Sequence, residues 1–303
     1  MSGTAGVGTG GSVRSVSAPS LADVVRVLER RYPPSTAEAW DAVGLVAGDP
    51  DAPVRRVLLA VDPVATVADE ALDWDADLVV THHPLFLRGV HSVAATTFKG
   101  ALVHRLVRGG CALYAAHTNA DAARGGVAEA LAGALGVVDL VPLVADGDGE
   151  TGTGRVGRLA TPTTLRAFAQ AVADATPPTA QGVRFAGDPD GRVERVALVG
   201  GSGDPFFDAA REAGADVYVT ADLRHHPASE QRERAEHDAR VGGRATPYLV
   251  DLAHFASEWP WLALAARDLV ADLVGLGTTV ETRVSVRRTD PWTGRVGSTA
   301  GAD

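Results

Sequence analysis

A single cysteine, Cys111, occurs in 303 residues. An intramolecular disulfide is therefore excluded, and so is any zinc module built on cysteines. Cys111 sits in the apolar run Cys111–Ala116, where a small buried packing residue is the simplest reading. Long apolar runs are also missing. None reaches the roughly 18–20 residues that a membrane-spanning helix needs. Met1 to Ser20 is rich in Gly, Ser and Thr and lacks the apolar core of a secretory signal, so a disordered leader is expected there. Positive charge is short as well. The formal net charge is −10 and the basic residues are almost all arginine, which argues against a broad nucleic-acid footprint. With 46% apolar and 22% charged residues the composition is that of an ordinary globular protein, and a cytoplasmic location is the default expectation.

What is present is an alternation of strand and helix signals. Leu21 to Arg31 has helical spacing, with Leu21, Val24, Val25 and Leu28 on one face, and Pro33–Pro34 stops it. Val57–Val61, Leu78–Val80 and Cys111–Ala116 read as buried strands, with helices at Val67–Trp74 and Ala101–Val107 between them. The Gly- and Asp-rich stretch Val144–Gly154 reads as a linker. A second α/β set follows: helix Leu165–Ala175, strand Val193–Val199, helix Phe206–Ala213 and strand Val217–Val219. Ser229–Arg240 reads as a solvated helix or loop, Tyr248–Asp251 as a strand, Glu258–Val274 as a helix and Thr278–Val286 as a closing strand. This pattern predicts an α/β fold of two similar halves with largely parallel or mixed sheets. The expected domains are 21–143 plus 245–286, and 144–244, with a fraying tail over 287–303. VVTHHP at Val79–Pro84 echoes VYVTADLRHHP at Val217–Pro227. Two related halves would account for the echo, and so would chance.

Several of the nine histidines fall just after a predicted apolar strand, the edge where open α/β sheets bind ligands. His82–His83 follow Leu78–Val80, His117 and Asp121 follow Cys111–Ala116, and His254 and Glu258 follow Tyr248–Asp251. Neighbouring side chains of an extended segment point apart, so His82 and His83 suit two ions better than one. His254 and Glu258 are spaced i, i+4 and share a helix face if the helix starts at His254; His117 and Asp121 have the same spacing. A carboxylate so placed can bridge two cations. Imidazole and carboxylate donors suit Zn, Fe, Mn, Co and Ni alike. Gly200–Gly203 could cradle a phosphate or simply turn the chain. Asp222, His225 and His226 could line the same cavity or be solvated. Trp259 and Trp261 are read as packing residues.

The stretches AWDAVGLVAGD (Ala39–Asp49), ADLVVTHHPLF (Ala76–Phe86), YAAHTNAD (Tyr114–Asp121), GGSGD (Gly200–Asp204), GADVYVTADLRHH (Gly214–His226) and DLAHFASEWP (Asp251–Pro260) resemble, in the same order, those of the Nif-three-like proteins. That family is also called GTP cyclohydrolase I type 2 homologues, and the resemblance spans about residues 20 to 283. It implies a dinuclear metal centre in the cleft between two α/β halves, at strand C-terminal ends, and six subunits forming a toroid. It assigns two divalent ions per subunit to His82, His83, Asp121, His254 and Glu258, with Glu258 as the bridge. It places His117 beside the site as a proton-transfer residue. Some relatives carry a large mid-chain insertion for which 144–154 is too short, so this chain resembles the compact form. Ala42 departs from the family, which usually has Asn after the Trp-Asp pair. The function expected is a metal-dependent hydrolase acting on a nucleotide or a phosphorylated or ring-amide small molecule; the alternative is a non-catalytic hexameric metal-binding regulatory or scaffold protein. Neither a membrane nor nucleic acid is an expected partner.

Overall fold

The chain enters its first helix through a capping box. Ser20 accepts from the Asp23 amide while the Asp23 carboxylate accepts from the Ser20 amide, so two of the orphan donors of a helix start are satisfied. α1 (Leu21–Arg31) then buries Leu21, Val24, Val27 and Leu28. In this computed structural model, which describes residues 17–147 and 149–297, two mixed sheets follow. The elements run β1 (Gly44–Ala47), β2 (Arg56–Ala60), α2 (Ala65–Asp73), β3 (Leu78–Thr81), α3 (Phe98–Arg108), β4 (Ala112–Ala115), α4 (Thr118–Ala122), α5 (Val127–Ala134), β5 (Val137–Ala145) and β6 (Gly152–Thr164). They continue as α6 (Leu165–Ala175), β7 (Arg184–Ala186), β8 (Arg192–Ser202), α7 (Phe207–Glu212), β9 (Val217–Ala221), α8 (His225–Arg240), β10 (Tyr248–Leu252), α9 (His254–Glu258), α10 (Pro260–Gly275) and β11 (Glu281–Val284).

The first sheet has the order β1-β4-β3-β2-β11, parallel except for the edge strand β1. The second has the order β5-β6-β8-β9-β10-β7, with β8, β9 and β10 parallel. The parallel strands β3, β4, β9 and β10 are buried along their whole length, which is why they read as mostly apolar runs, with Thr81, Thr220 and Asp251 the exceptions. One apolar layer joins α1, α10 and part of α5 to the first sheet; another seats α5 and α6 on the second. The α/β fold in two halves with mixed sheets is thus observed.

Three expectations are corrected. The expected linker 144–154 takes in the end of β5 and the start of β6, which pair with each other: Val144 with Thr153 and Ala145 with Gly152, where a Cβ on Gly152 would strike the Val144 carbonyl. Asp and Gly crowd this stretch because it is a turn. The division at 143/144 and 244/245 does not follow the sheets. β5 belongs to the second sheet throughout, and β10 lies beside β9 in register Leu249↔Tyr218. Asp251 ties β10 there by accepting from the Leu223 amide and from Arg184. The tail does not fray at 287: Thr289 donates to Asp62, and Asp290 is 9% exposed. Residues 1–16 of the expected leader and 298–303 of the tail lie outside the described residues, while Ser20 is the cap of α1.

Candidate metal centre

The topology aims the C-terminal ends of parallel strands from both sheets at one place. Behind β3 come His82 and His83; behind β4, His117, which precedes α4 and its Asp121. From the second sheet, β10 leads into α9, whose first and last residues are His254 and Glu258. α9 does begin at His254, so the i, i+4 pair meets: His254 Nε2 lies 2.8 Å from Glu258 Oε1.

Each imidazole is oriented through its Nδ1. His82 Nδ1 donates to the Ala116 carbonyl at 2.9 Å, His83 to Asp62 at 2.6 Å, His254 to Asp222 at 2.7 Å and His117 to Asp41 at 2.8 Å. Every one of these partners is an acceptor, so Nδ1 carries a proton, and whenever the ring is neutral Nε2 presents a lone pair. Metal-ligating histidines are held in this manner. The Nε2 atoms of His82, His83 and His254 converge on Glu258, and His117 stands beside His82 and His83. His83 Nε2 is 3.1 Å from its Oε2, and His82 Nε2 is 3.4 Å from its Oε1. His83 Nε2 and His254 Nε2 face each other at 3.3 Å.

With both rings neutral, two lone pairs at that distance repel, so the pair calls for a proton or a metal cation between or beside them. Two buried atoms, His82 Nε2 and Glu258 Oε2, moreover lack a hydrogen-bond partner among the described residues. Unmade bonds in so dry a place are costly, and a metal ion would supply the missing partner. Two overlapping donor groups are close enough to hold an ion: His82, His83 and His117, and His83, His254 and Glu258. Asp121 stands further back, its Oδ1 3.8 Å from His82 Nε2. His117 thus joins one of the two donor groups, whereas Asp121 meets the cluster through His82 alone.

Electrostatics express the same shortage of positive charge. Burial alone would lower His254, but Glu258 and Asp222 outweigh it and push its pKa up to about 10. His83 is likewise raised well above its ordinary value, burial being overcome by Glu258 and Asp62. Glu258 is held well below the usual carboxylate range: burial opposes this, and His83, His82 and His254 prevail. Without metal, protons occupy the place of cations.

Gly201 belongs to the site although no side chain marks it. It ends β8 with φ +69°, and a Cβ there would sit 2.7 Å from Glu258 Oε1 and 3.2 Å from His254 Nε2. The glycine run thus serves clearance rather than a phosphate cradle at a long helix, since α7 spans only six residues. Two cavities of about 500 and 460 Å3 open on either side of the cluster, sharing His117 and His254. Asp222 lines one of them, whereas His225 and His226 are exposed at the start of α8. Trp261 is buried edge-on against Tyr32 and beside His82, and Trp259 donates to the Ser285 carbonyl. Both tryptophans pack the subunit, as read from the sequence. Asp41 and Asp62 escaped sequence reading; the available signal was their place beside apolar strands, Asp62 two residues beyond β2.

Known proteins share this arrangement of chain. The profile of the Duf34/NIF3 (NGG1p interacting factor 3) family matches residues 19–291. A "GTP cyclohydrolase 1 type 2 homolog" of Streptomyces coelicolor is 50% identical, covering 92% of this chain and 96% of that one. Among solved structures, a Staphylococcus aureus hypothetical protein superposes with TM-score 0.78 at 27% identity, over 91% of this chain and 99% of its own. A Bacillus cereus protein related to NIF3 gives TM-score 0.78 at 25% identity, with the same two coverages.

Proposed function

The chain belongs to the Duf34/NIF3 family, and on that premise we propose that it is a dinuclear metal-binding protein acting as a metal-dependent hydrolase. The observation that carries this reading is the convergence of the His82, His83 and His254 Nε2 atoms on one buried glutamate, with His82 Nε2 and Glu258 Oε2 left without a hydrogen-bond partner among the described residues. His82, His83, Asp121, His254 and Glu258 are the proposed ligands, with Glu258 offering one oxygen to each ion; the geometry admits His117 to the first group as well. A pair of divalent ions (Zn, Fe, Mn, Co or Ni) would supply Lewis acidity for activating water and clamping a substrate oxygen.

The chain's own part is orientation and proton handling. Asp62, Asp222 and the Ala116 carbonyl fix three imidazoles in one tautomer. His117, partly exposed and steered by Asp41, is placed to move a proton at Nε2. Against burial, which alone would raise it, Asp41 is held far below the usual carboxylate range by His117 and Thr118, so it stays an acceptor. The substrate class is a nucleotide or a phosphorylated or ring-amide small molecule. We also propose a homohexamer in the cytoplasm; among the described residues no helix is long and apolar enough to cross a membrane.

A second reading, a non-catalytic metal-binding scaffold, is favoured by one observation: His82 and His83 come from the first sheet, and His254 and Glu258 from the second. An ion held by both would pin the halves together. The test is turnover of a panel of nucleotides, phosphoesters and cyclic amides by the protein loaded with each candidate metal. Turnover lost in Glu258→Gln, with melting temperature kept, supports the hydrolase. No turnover with any metal, together with collapse of stability and assembly in the same variant, supports the scaffold.

A further inference from the structure

The cavity of about 460 Å3 on the His83 and His254 side is closed by the chain's own segment Thr289–Trp292. Its polar floor carries three carboxylates, and two of them are committed. Asp62 accepts from His83 Nδ1 with one oxygen and from the Thr289 hydroxyl with the other. Asp222 accepts from His254 Nδ1. The third is different: Asp290 is only 9% exposed, lines the cavity, and its Oδ2 has no hydrogen-bond partner among the described residues. A buried carboxylate oxygen left unmatched is costly and calls for a donor from outside the chain. Part of the lining is apolar. Pro84 and Leu87 stand in one part of the lining, and Pro291 and Trp292 in another, with the Trp292 indole 65% exposed. Apolar walls over a few convergent polar groups suit a planar heterocycle. Burial raises the Asp290 carboxyl, with Arg288 and a hydrogen bond from the Trp292 backbone opposing and Asp62 and Asp222 adding to it; a carboxylate oxygen accepts, so its missing partner is an N–H or O–H donor.

We propose that Asp290 is the specificity-determining residue of this site. Its buried oxygen receives an N–H of a planar nitrogen ring lying along Trp292, which makes the substrate an amino-heterocycle, cyclic amidine or lactam rather than a simple phosphoester. This rests on the hydrolase reading above and narrows its substrate class. In that pose the ring is fixed from its N–H edge at Asp290, while His83 and His254 border the same cavity.

Two probes separate the idea from its rivals. 2-Aminobenzimidazole carries N–H donors; 1,2-dimethylbenzimidazole keeps the ring and a nitrogen lone pair but lacks them. Both are titrated calorimetrically into zinc-loaded protein, with zinc per chain measured on the same samples. The expected result is that wild type binds the donor probe about tenfold more tightly, the worth of one hydrogen bond to a charged group. Asp290→Asn and Asp290→Ala abolish that preference with zinc content unchanged, and Trp292→Ala weakens both probes alike. Equal binding of the two probes by wild type, or a preference that survives both Asp290 variants, overturns the proposal. So does a loss of zinc on Asp290→Asn, which would make Asp290 a cation ligand. Wild-type protein that holds no zinc but keeps the Asp290-dependent preference would sink the hydrolase reading and leave this subsite standing.

Discussion

Replacing Gly201 by alanine tests the site without removing any ligand. The added Cβ would stand 2.7 Å from Glu258 Oε1, 3.2 Å from His254 Nε2 and 3.3 Å from His254 Cε1. Glu258 has little room to retreat, because His82 and His83 flank it and it is 2% exposed. Its carboxylate must shift by several tenths of an ångström, more than the ~0.2 Å that a metal site tolerates. Two effects follow. The left-handed backbone at φ +69° costs the metal-free fold about 1–2 kcal/mol with a side chain in place. The displaced ligand should weaken metal binding by about a hundredfold or more, at the upper end of what a misplaced supporting group costs. With metal at a concentration of 100 times the wild-type Kd, binding stabilises by about 2.7 kcal/mol, nearly all of which the variant forfeits. The assay is melting of the chelated and metal-loaded forms, with Kd from calorimetry. A drop in melting temperature of about 2–4 °C per kcal/mol is expected, larger in the loaded form. Gly133→Ala is the control: Gly133 lies in α5 with nothing within 4 Å of a new Cβ, so it should stabilise slightly. Gly201→Ala protein with wild-type Kd and wild-type metal-induced stabilisation would refute the clearance argument.

Three further outcomes are expected. Asp222→Asn can offer an N–H to His254 Nδ1 and so disturb its tautomer; metal affinity should fall about 10–100-fold with the fold intact, and calorimetry showing no change would count against the orienting role. In chelated protein, His254 has a folded pKa raised to about 10, so its pairing with Glu258 stabilises fully below the unfolded histidine value and is lost as pH rises through about 10. The melting temperature of the chelated protein should therefore decline over that alkaline window, and by less in His254→Gln. Burial raises the Cys111 thiol to about 12, so iodoacetamide at pH 8 should leave native protein unlabelled and label it in urea, as read by mass spectrometry.

The strands that deliver the site were legible because they are buried on both faces. Leu78–Val80 and Tyr248–Val250 show as short apolar runs, and a histidine soon after such a run stands out. His82, His83, His117 and His254 announced themselves this way. Asp62 and Asp222 occupy equivalent positions, but a lone aspartate after a strand is common, and only pairing with His83 and His254 across the fold gives them a task. The hairpin β5–β6 was hidden for a different reason. β5 is mostly exposed, β6 carries three glycines and two arginines, and the Asp/Gly turn dominates local composition. That β10 joins the second sheet depends on a pairing with β9 some thirty residues away, and no local pattern encodes such a choice. Asp290 sits in a polar, Gly-containing stretch whose composition reads as tail; its burial arises from Thr289 docking on Asp62.

The central claim, that converging imidazoles and one buried glutamate hold two ions, is tested most directly by counting them. Elemental analysis of the protein purified without added metal or chelator, read against subunit concentration, should give about two first-row ions per chain. The same preparation of Glu258→Gln should retain at most one. Metal-free wild-type protein that also takes up none on dialysis against Zn, Mn, Fe, Co and Ni would contradict the account.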